Sequence, residues 1–498
     1  MTAICVSLTE PTTAGLIDRM VDLAGVADMF EIRGDMVRDL DLLTLMRAQT
    51  HPLLFTCLPR AEGGHWDDGD PAGRRELLKE AARRGFDYVD VGFTSGFLDV
   101  IAEKAGKGLV LSYHDLQGTP PDLDRLYGSM AEQGADIVKI AVTPRSIADL
   151  GRLFEFAARR AQAGGTPLVP LAMGPMGIPS RILGGRHGAP FLFASPSAGA
   201  EAGPGQIPAA QMADLFRVRQ ITAATQVYGI LGADVTWSLS PVIHNRAFAE
   251  RGMDAVYVPL QAEALEPFLA ALPALRLSGF SVTRPYKVDI VSRLDSVDWT
   301  ATLAGSVNTV RVRGGRLEGS STDGLGILVP LRKKTAIKGR EIVILGAGGA
   351  ARAAALALLH EGARVTVLAR NPQQAGAVAK DTGCAVGDLA RLADYAWDVL
   401  INATPLGSTS MPGRSPVPAP LLRPGTIVFD MVYEPLETPL LRDADKAGCE
   451  TIDGLQMLLA QAAGQFEAWT GQEAPDDAMK SAALVAIQER IALEERPA

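Results

Sequence analysis

The sequence predicts an α/β protein in two parts: a (β/α)8 barrel, then a two-lobed α/β unit containing a Rossmann dinucleotide-binding domain. Two observations predict this. The first 220 or so residues alternate eight short apolar runs with amphipathic helical segments. From Gly339, a strand leads through a glycine-rich turn into an alanine-rich helix and a second strand. A chain of 498 residues is too long for one ordinary core, which agrees with two or three domains.

The eight runs are AICVSL (3–8), MFEIRG (29–34), LLFTCL (53–58), YVDVGF (88–93), GLVLSYHD (108–115), DIVKIAV (136–142), LVPLAM (168–173) and PFLFAS (190–195). Segments such as GRRELLKEAARRGF and IADLGRLFEFAARRAQAGG supply the crossover helices, and helical residues from about 206 to 224 are expected to close the barrel. QVYGILG opens a new strand at once, without a Gly/Ser- or Pro-rich linker, so the two halves are expected to abut.

Bulk properties exclude several function classes. Hydrophobic content of 47% with 21% charged residues describes a soluble globular chain, and a net charge of −9 offers no footprint for nucleic acid or anionic membrane. Cys5, Cys57, Cys384 and Cys449 are too scattered for a zinc motif and too few for a disulfide framework, which points to a reducing compartment and no metal. The start has no signal-peptide pattern and no apolar run reaches membrane-spanning length, so the cytoplasm is the expected location.

Polar residues collect at the C-terminal ends of the barrel runs, where such barrels keep their chemistry. Glu31 and Arg33 end the second run, Arg60 and Glu62 follow the third, and His114 ends the fifth. Lys139 lies within the sixth, Arg181 follows the seventh and Gln206 the eighth. A lysine inside a β-branched strand snorkels from the strand end, or, if buried, pairs with an acid or loses its proton. Burial can lower its pKa from about 10.4 to ~7–8, and the resulting neutral amine attacks carbonyl carbon. Taken singly, each residue has a structural reading, His114 as a strand cap and Glu31–Arg33 as an ion pair. Together they favour Schiff-base chemistry, with His114 removing the C–H proton that the iminium acidifies.

In the second half, GREIVILGAGGAARAAALALLHEGARVTVLARN places Gly346, Ala347, Gly348, Gly349 and Ala350 at a strand–helix turn suited to a pyrophosphate. The second strand ends in Arg370 and Asn371 rather than an acid, which favours the 2′-phosphate of NADP. Upstream, GILGADVTWSLSPVIHN, GFSVTRPYK, AGSVNTV and SSTDG supply hydroxyls and amides near strand ends, suited to a polyhydroxylated acid. Lys287 and Asp323 form a titratable pair for proton transfer, although each alone reads as a surface or turn residue.

The pieces EIR, FTCLPRAEGG, SYHD, ADIVKIAVTP, GIPSR and GPGQI, in that order, resemble type I 3-dehydroquinate dehydratase. The resemblance implies Lys139 as imine lysine, His114 as acid and base, Glu62 as its orienting partner, and Glu31, Arg33, Arg181 and Gln206 as substrate ligands; Arg60, which stands near Leu58, is a further candidate. The sequence departs at Leu58, where the family usually has arginine, at Gly92, where a glutamate is expected, and at Ala202, where a serine or threonine is. Residues 227–490, with NATPLG, DMVYEPLETPLL and DGLQMLLAQA, resemble shikimate dehydrogenase. That resemblance implies Ser238, Ser240, Thr283, Asn308, Tyr433 and Gln461 as substrate ligands and Lys287 with Asp323 as the catalytic pair. It adds Thr404 and Gly454 to the glycine turn, Arg370 and Asn371 as NADP contacts. Its departures are Trp237 before the first serine, Ser281 in the N-V-T triplet and Ser321 in N-T-D.

The expected division is 1–224 for the barrel, 225–325 with 455–498 for substrate binding, and 326–454 for NADP. The two resemblances are to consecutive reactions, 3-dehydroquinate to 3-dehydroshikimate and then to shikimate. The alternative is a quinate/shikimate dehydrogenase carrying a non-catalytic ligand-binding barrel. The sequence leaves oligomeric state open.

Overall fold

The computed structural model describes residues 2–103 and 105–494; Met1 and the last four residues of the 455–498 segment lie outside them. The chain divides into two compact units, Met1–Ser278 and Gly279–Ala498.

In the first unit, eight parallel strands carry the barrel: β1 (Ala3–Leu8), β2 (Met29–Arg33), β3 (Leu53–Thr56), β4 (Tyr88–Gly92), β5 (Gly108–Asp115), β6 (Ile137–Val142), β7 (Leu168–Ala172) and β8 (Phe191–Ala194). Their order is β7-β6-β5-β4-β3-β2-β1-β8, so β8 pairs with β1 and the barrel is nearly closed. All eight lie where the apolar runs predict. Crossover helices start and stop as their sequences dictate. Helix Pro71–Arg84 opens on Asp70, which accepts a hydrogen bond from Gly73 N, and closes on Gly85 at φ 84°, a left-handed conformation that favours glycine.

Strand periodicity builds the interior in layers. Cys5, Met29, Leu54, Val110 and Ile137 belong to one buried apolar cluster. The next inward positions, two residues on, are Ser7, Glu31, Thr56, Ser112 and Lys139, with Asp90 of β4; all are buried. A polar layer therefore rests on an apolar floor. The next positions, including Arg33, Leu58 and His114, form the mouth.

The predicted helix over 206–224 is broken up. A π-helical turn spans Gln211–Leu215 and a 3-10 turn spans Val218–Gln220. Arg217 between them has φ 51°, which stops helix propagation. The first unit continues into the parallel pair β9 (Gln226–Gly232) and β10 (Ala255–Gln261), and helix Leu265–Leu275 contacts helix Ile147–Ala163 of the barrel.

β11 (Leu277–Val282) straddles the division between units. In the second unit, β11 pairs antiparallel with β13 (Thr309–Arg313), which follows the short β12 (Ser296–Val297). β14 (Arg316–Ser320) pairs antiparallel with β13 and parallel with β12. A second sheet is wholly parallel. Its strands are β15 (Glu341–Leu345), β16 (Arg364–Ala369), β17 (Ala385–Asp388), β18 (Val399–Asn402), β19 (Ile427–Asp430) and β20 (Glu450–Ile452), in the order β17-β16-β15-β18-β19-β20. Ile342 and Ile344 join one core and Val343 and Leu345 another, so β15 is covered on both faces, which explains its unbroken apolar run.

Candidate active sites

The barrel mouth holds a cavity lined by Glu31, Arg33, Glu62, His114, Lys139, Arg181 and Gln206, among others. Every residue nominated for the barrel lines it except Arg60, which starts a 3-10 turn (Arg60–Glu62) and is exposed. That turn carries Glu62 to the cavity and leaves Arg60 on the outside.

Lys139 is 5% exposed, its Nζ donates to Asp90 Oδ2 at 2.9 Å, and it sits 4.5 Å from the centre of the Phe193 ring. The expectation of a neutral amine is overturned. Burial does push the Lys139 pKa down, but the charges of Asp90 and Glu31 and the Asp90 hydrogen bond outweigh it and hold the pKa above its ordinary value. Asp90 is the residue the sequence reading passed over. Its signal is an acid at the middle inward position of YVDVG.

His114 Nδ1 lies 3.3 Å from Glu62 Oε2, and Thr94 Oγ1 donates to Glu62 Oε1 at 3.0 Å. Burial raises the Glu62 carboxyl, but the bonds from His114 and Thr94 and the His114 charge win, so it stays below the usual range. Gly92 is explained here. A Cβ at that position would stand 2.9 Å from Glu62 Oε1, so any side chain would displace the partner of His114.

Glu31 accepts from Ser7 Oγ at 2.5 Å and Thr56 Oγ1 at 2.8 Å. Gln206 bridges Ser7 Oγ (3.0 Å) and Ala202 N (2.8 Å). Arg33 lines the cavity while its guanidinium grips Asp35 at 3.0 and 2.8 Å and donates to Ala202 O at 3.2 Å. Asp35 also accepts from the backbone of Leu58 and His65, so this pair ties three loops together. Arg181 is different. Its Nη2 donates to Pro204 O at 2.8 Å, its Nε is buried without a partner among the described residues, and burial lowers its pKa to about 10. A desolvated cation with spare donor capacity is ready for an anion. Leu58, Leu116, Leu171 and Met173 make the remaining wall apolar.

In the first unit, Ser238 is half-buried and Ser240 opens helix Ser240–Glu250, with Ser240 N donating to Ser238 Oγ at 3.2 Å. Two hydroxyls at a helix N-terminus suit a carboxylate.

In the second unit, Lys287 Nζ donates to both oxygens of Asp323 at 2.9 Å. Asn308 is 3% exposed; its Nδ2 donates to Asp323 Oδ1 at 2.8 Å and to Thr322 Oγ1 at 3.0 Å. Asn308 thus orients the acid. Gln461 lies over Gly326, where a Cβ would come within 2.9 Å of its Nε2. Thr283 is half-buried. Tyr433 is also half-buried, and burial raises its pKa. Ser281 turns inward and donates to Gln465 Oε1 at 2.9 Å.

The nucleotide turn fits a dinucleotide. Gly346 has φ 108°, and Cβ atoms built on Gly348 and Gly349 meet nothing within 4 Å, leaving an open cradle at the start of helix Gly349–His360. Ala347 and Ala350 complete the turn. Arg370 is exposed after β16, and Asn371 caps helix Pro372–Thr382 by accepting from Gln373 N at 3.0 Å and Gln374 N at 3.3 Å. Thr404 is steadied by Asn402, whose Oδ1 takes its hydroxyl at 2.7 Å. Gly454 is buried so tightly that a Cβ would fall 2.5 Å from Met431 O.

Fold and sites together define a two-part α/β chain, a lysine-bearing barrel joined to a dehydrogenase with a dinucleotide cradle. Residues 4–223 match the family model for type I 3-dehydroquinase, and 230–310 match that for the shikimate dehydrogenase substrate binding domain. Residues 330–410 match shikimate/quinate 5-dehydrogenase, and 454–484 match the shikimate 5′-dehydrogenase C-terminal domain. The bifunctional 3-dehydroquinate dehydratase/shikimate dehydrogenase of Arabidopsis thaliana, named chloroplastic, is 35% identical over 504 residues, spanning 94% of this chain and 83% of that protein. The shikimate dehydrogenase (NADP(+)) of Thermococcus kodakarensis is 43% identical over 54% of this chain and 99% of its own. A solved shikimate dehydrogenase–NADP+ complex matches with a TM-score of 0.51 at 37% identity, covering 53% of this chain and 96% of that one. The chain belongs to the bifunctional 3-dehydroquinate dehydratase/shikimate dehydrogenase family.

Proposed function

We propose that the barrel dehydrates 3-dehydroquinate to 3-dehydroshikimate through an imine on Lys139, and that the second half reduces this product to shikimate with NADPH. The carrying observation is the convergence of Lys139–Asp90, His114–Glu62 and Arg181 on one cavity. Arg181 receives the substrate carboxylate. Lys139 passes a proton to Asp90 and attacks the ketone carbon, and loss of water gives the iminium. His114, oriented by Glu62, removes the adjacent C–H proton and returns it to the departing hydroxyl, which leaves as water. Hydrolysis of the imine frees the product and restores the amine.

In the second reaction, NADP supplies the hydride chemistry when bound; Gly346, Gly348, Gly349 and Thr404 would hold it and Arg370 would meet its 2′-phosphate. Lys287 and Asp323 hold the proton exchanged at the substrate's carbonyl or carbinol oxygen, with Asn308 fixing Asp323. Ser238 and Ser240 take the carboxylate, and Thr283, Tyr433 and Gln461 the hydroxyls. The working division is 1–224 for dehydration, 225–325 with 455–498 for the second substrate, and 326–454 for NADP. All four cysteines are free and buried, which supports a reducing compartment, and the cytoplasm is the location proposed. No described helix is long and apolar enough to cross a membrane.

The test supplies purified protein with 3-dehydroquinate and NADPH, following enone absorbance and NADPH loss together. Enone formation with no NADPH loss would leave only the first half of the proposal standing.

A further inference from the structure

The strand carrying Lys139 passes through four residues, 143–146, into helix Ile147–Ala163. The start of that helix is not capped by the barrel alone. Ser146 Oγ donates to Glu263 Oε1, and Ile147 N donates to Glu263 Oε2 at 3.1 Å. Glu263 lies just beyond β10, more than 30 residues past the proposed end of the barrel at 224. A carboxylate at a helix N-terminus satisfies open N–H groups and complements the helix dipole.

The same loop is wired to the histidine strand. Thr143 N donates to Gly118 O and Thr143 Oγ1 to Asp115 O, each at 3.0 Å, and Arg145 Nε donates to Gln117 O at 2.5 Å. Asp115 directly follows His114, and Leu116 lines the cavity. Glu263 therefore anchors a loop that touches the ends of both catalytic strands.

Two further contacts tie the helix that follows Glu263 to the barrel. Helix Leu265–Leu275 meets helix Ile147–Ala163 at Gly151, where a Cβ would lie 3.0 Å from Ala271 Cβ; a larger residue wedges the helices apart. Arg186 Nη1 donates to Leu275 O, at the helix's far end, at 3.1 Å. Mid-helix glycine is unfavourable intrinsically, so close approach is its reason here.

We propose that Glu263, seated by the Gly151–Ala271 contact, is a positioning residue for barrel dehydration: it sets the 143–146 and 115–118 loops and hence His114 over Lys139. This rests on the dehydratase reading above. The test compares full-length Glu263→Ala, Glu263→Gln and Gly151→Leu with the parent chain, after matching circular dichroism. In Glu263→Ala the dehydratase kcat should fall roughly 3- to 10-fold with KM changed less than about 2-fold, because geometry rather than substrate contact is lost. Borohydride trapping on Lys139 should slow in parallel. Glu263→Gln should be milder and Gly151→Leu at least as severe, while NADP-linked shikimate oxidation in Glu263→Ala stays near the parent rate. A folded Glu263→Ala with unchanged kcat and trapping rate overturns the inference; if Gly151→Leu does not fold, Glu263→Ala alone decides. A parent chain without dehydratase turnover instead sinks the reading on which it rests.

Discussion

Lys139 and Lys287 each bond an aspartate at 2.9 Å, yet their surroundings differ. The Lys139–Asp90 side chains are 7% and 0% exposed, whereas those of Lys287–Asp323 are 30% and 10%. In the barrel, the acid compensates a buried cation within a polar layer that rests on an apolar floor. In the second unit, water still reaches the lysine, and Asn308 does much of the fixing of the acid. A covalent nucleophile gains from exclusion of water, while a proton donor must exchange its proton with solvent between turnovers.

The largest expected effect separates the two lysines outright. Lys139→Ala should abolish dehydration and borohydride-trapped ligand mass while leaving NADP-linked shikimate oxidation intact. Lys287→Ala should do the reverse, slowing oxidation about 10²- to 10⁴-fold, the usual range for a lost acid–base group. Loss of both half-reactions from either substitution in a folded protein would break the comparison.

Stability should follow burial. Asp90→Ala strands a buried ammonium and should cost about 3–5 kcal/mol. Asp323→Ala should cost only about 1–2 kcal/mol, since Lys287 remains partly hydrated. Urea denaturation measures both, and equal costs would mean that exposure is not the controlling variable.

At the nucleotide end, Arg370→Ala should weaken NADP by roughly 1.5–3 kcal/mol, or ~10- to 150-fold, with NAD use little changed. Equal losses for both cofactors would make the residue structural.

The last effect is confined to acidic pH and concerns the wall between helix and barrel. Burial, with the charges of Arg186 and Arg276, lowers the His187 pKa from 6.5 to about 4, and its ring rests against Phe154. The folded value lies below the ordinary one, so this contribution is complete above about pH 6.5 and fades as pH falls towards 4. It amounts to about 3 kcal/mol at most. His187→Leu should flatten that part of the stability–pH curve; an unchanged slope would assign it to other groups.

Much of this was legible in the linear chain because its signals are local. Eight apolar runs name eight strands, and Gly346-Ala-Gly348-Gly349 before an alanine-rich helix names a nucleotide turn. Lys139 and His114 stood out as polar residues in apolar strands. Asp90 is not legible alone, because a single acid in the middle of YVDVGF gives no sign of its partner until the neighbouring strands are known. Arg60 is a candidate because it follows the third run near Leu58, but one 3-10 turn leaves it exposed while Glu62 lines the cavity. Arg33 lines the cavity, but that Asp35, two residues on, engages its guanidinium is visible only in the fold.

Strand period, turn chemistry and the order of motifs depend on residues a few positions apart, so the sequence by itself determined the barrel and the Rossmann domain and singled out both lysines as candidates. Tertiary structure decided the pairing of Lys139 with Asp90, the engagement of Arg33 and the reach of Glu263 to a helix 116 residues earlier. The reason is physical. Electrostatic and hydrogen-bond energies depend on distance through space and on exclusion of water, and Asp90 stands 49 residues from the ammonium whose hydrogen bond it accepts.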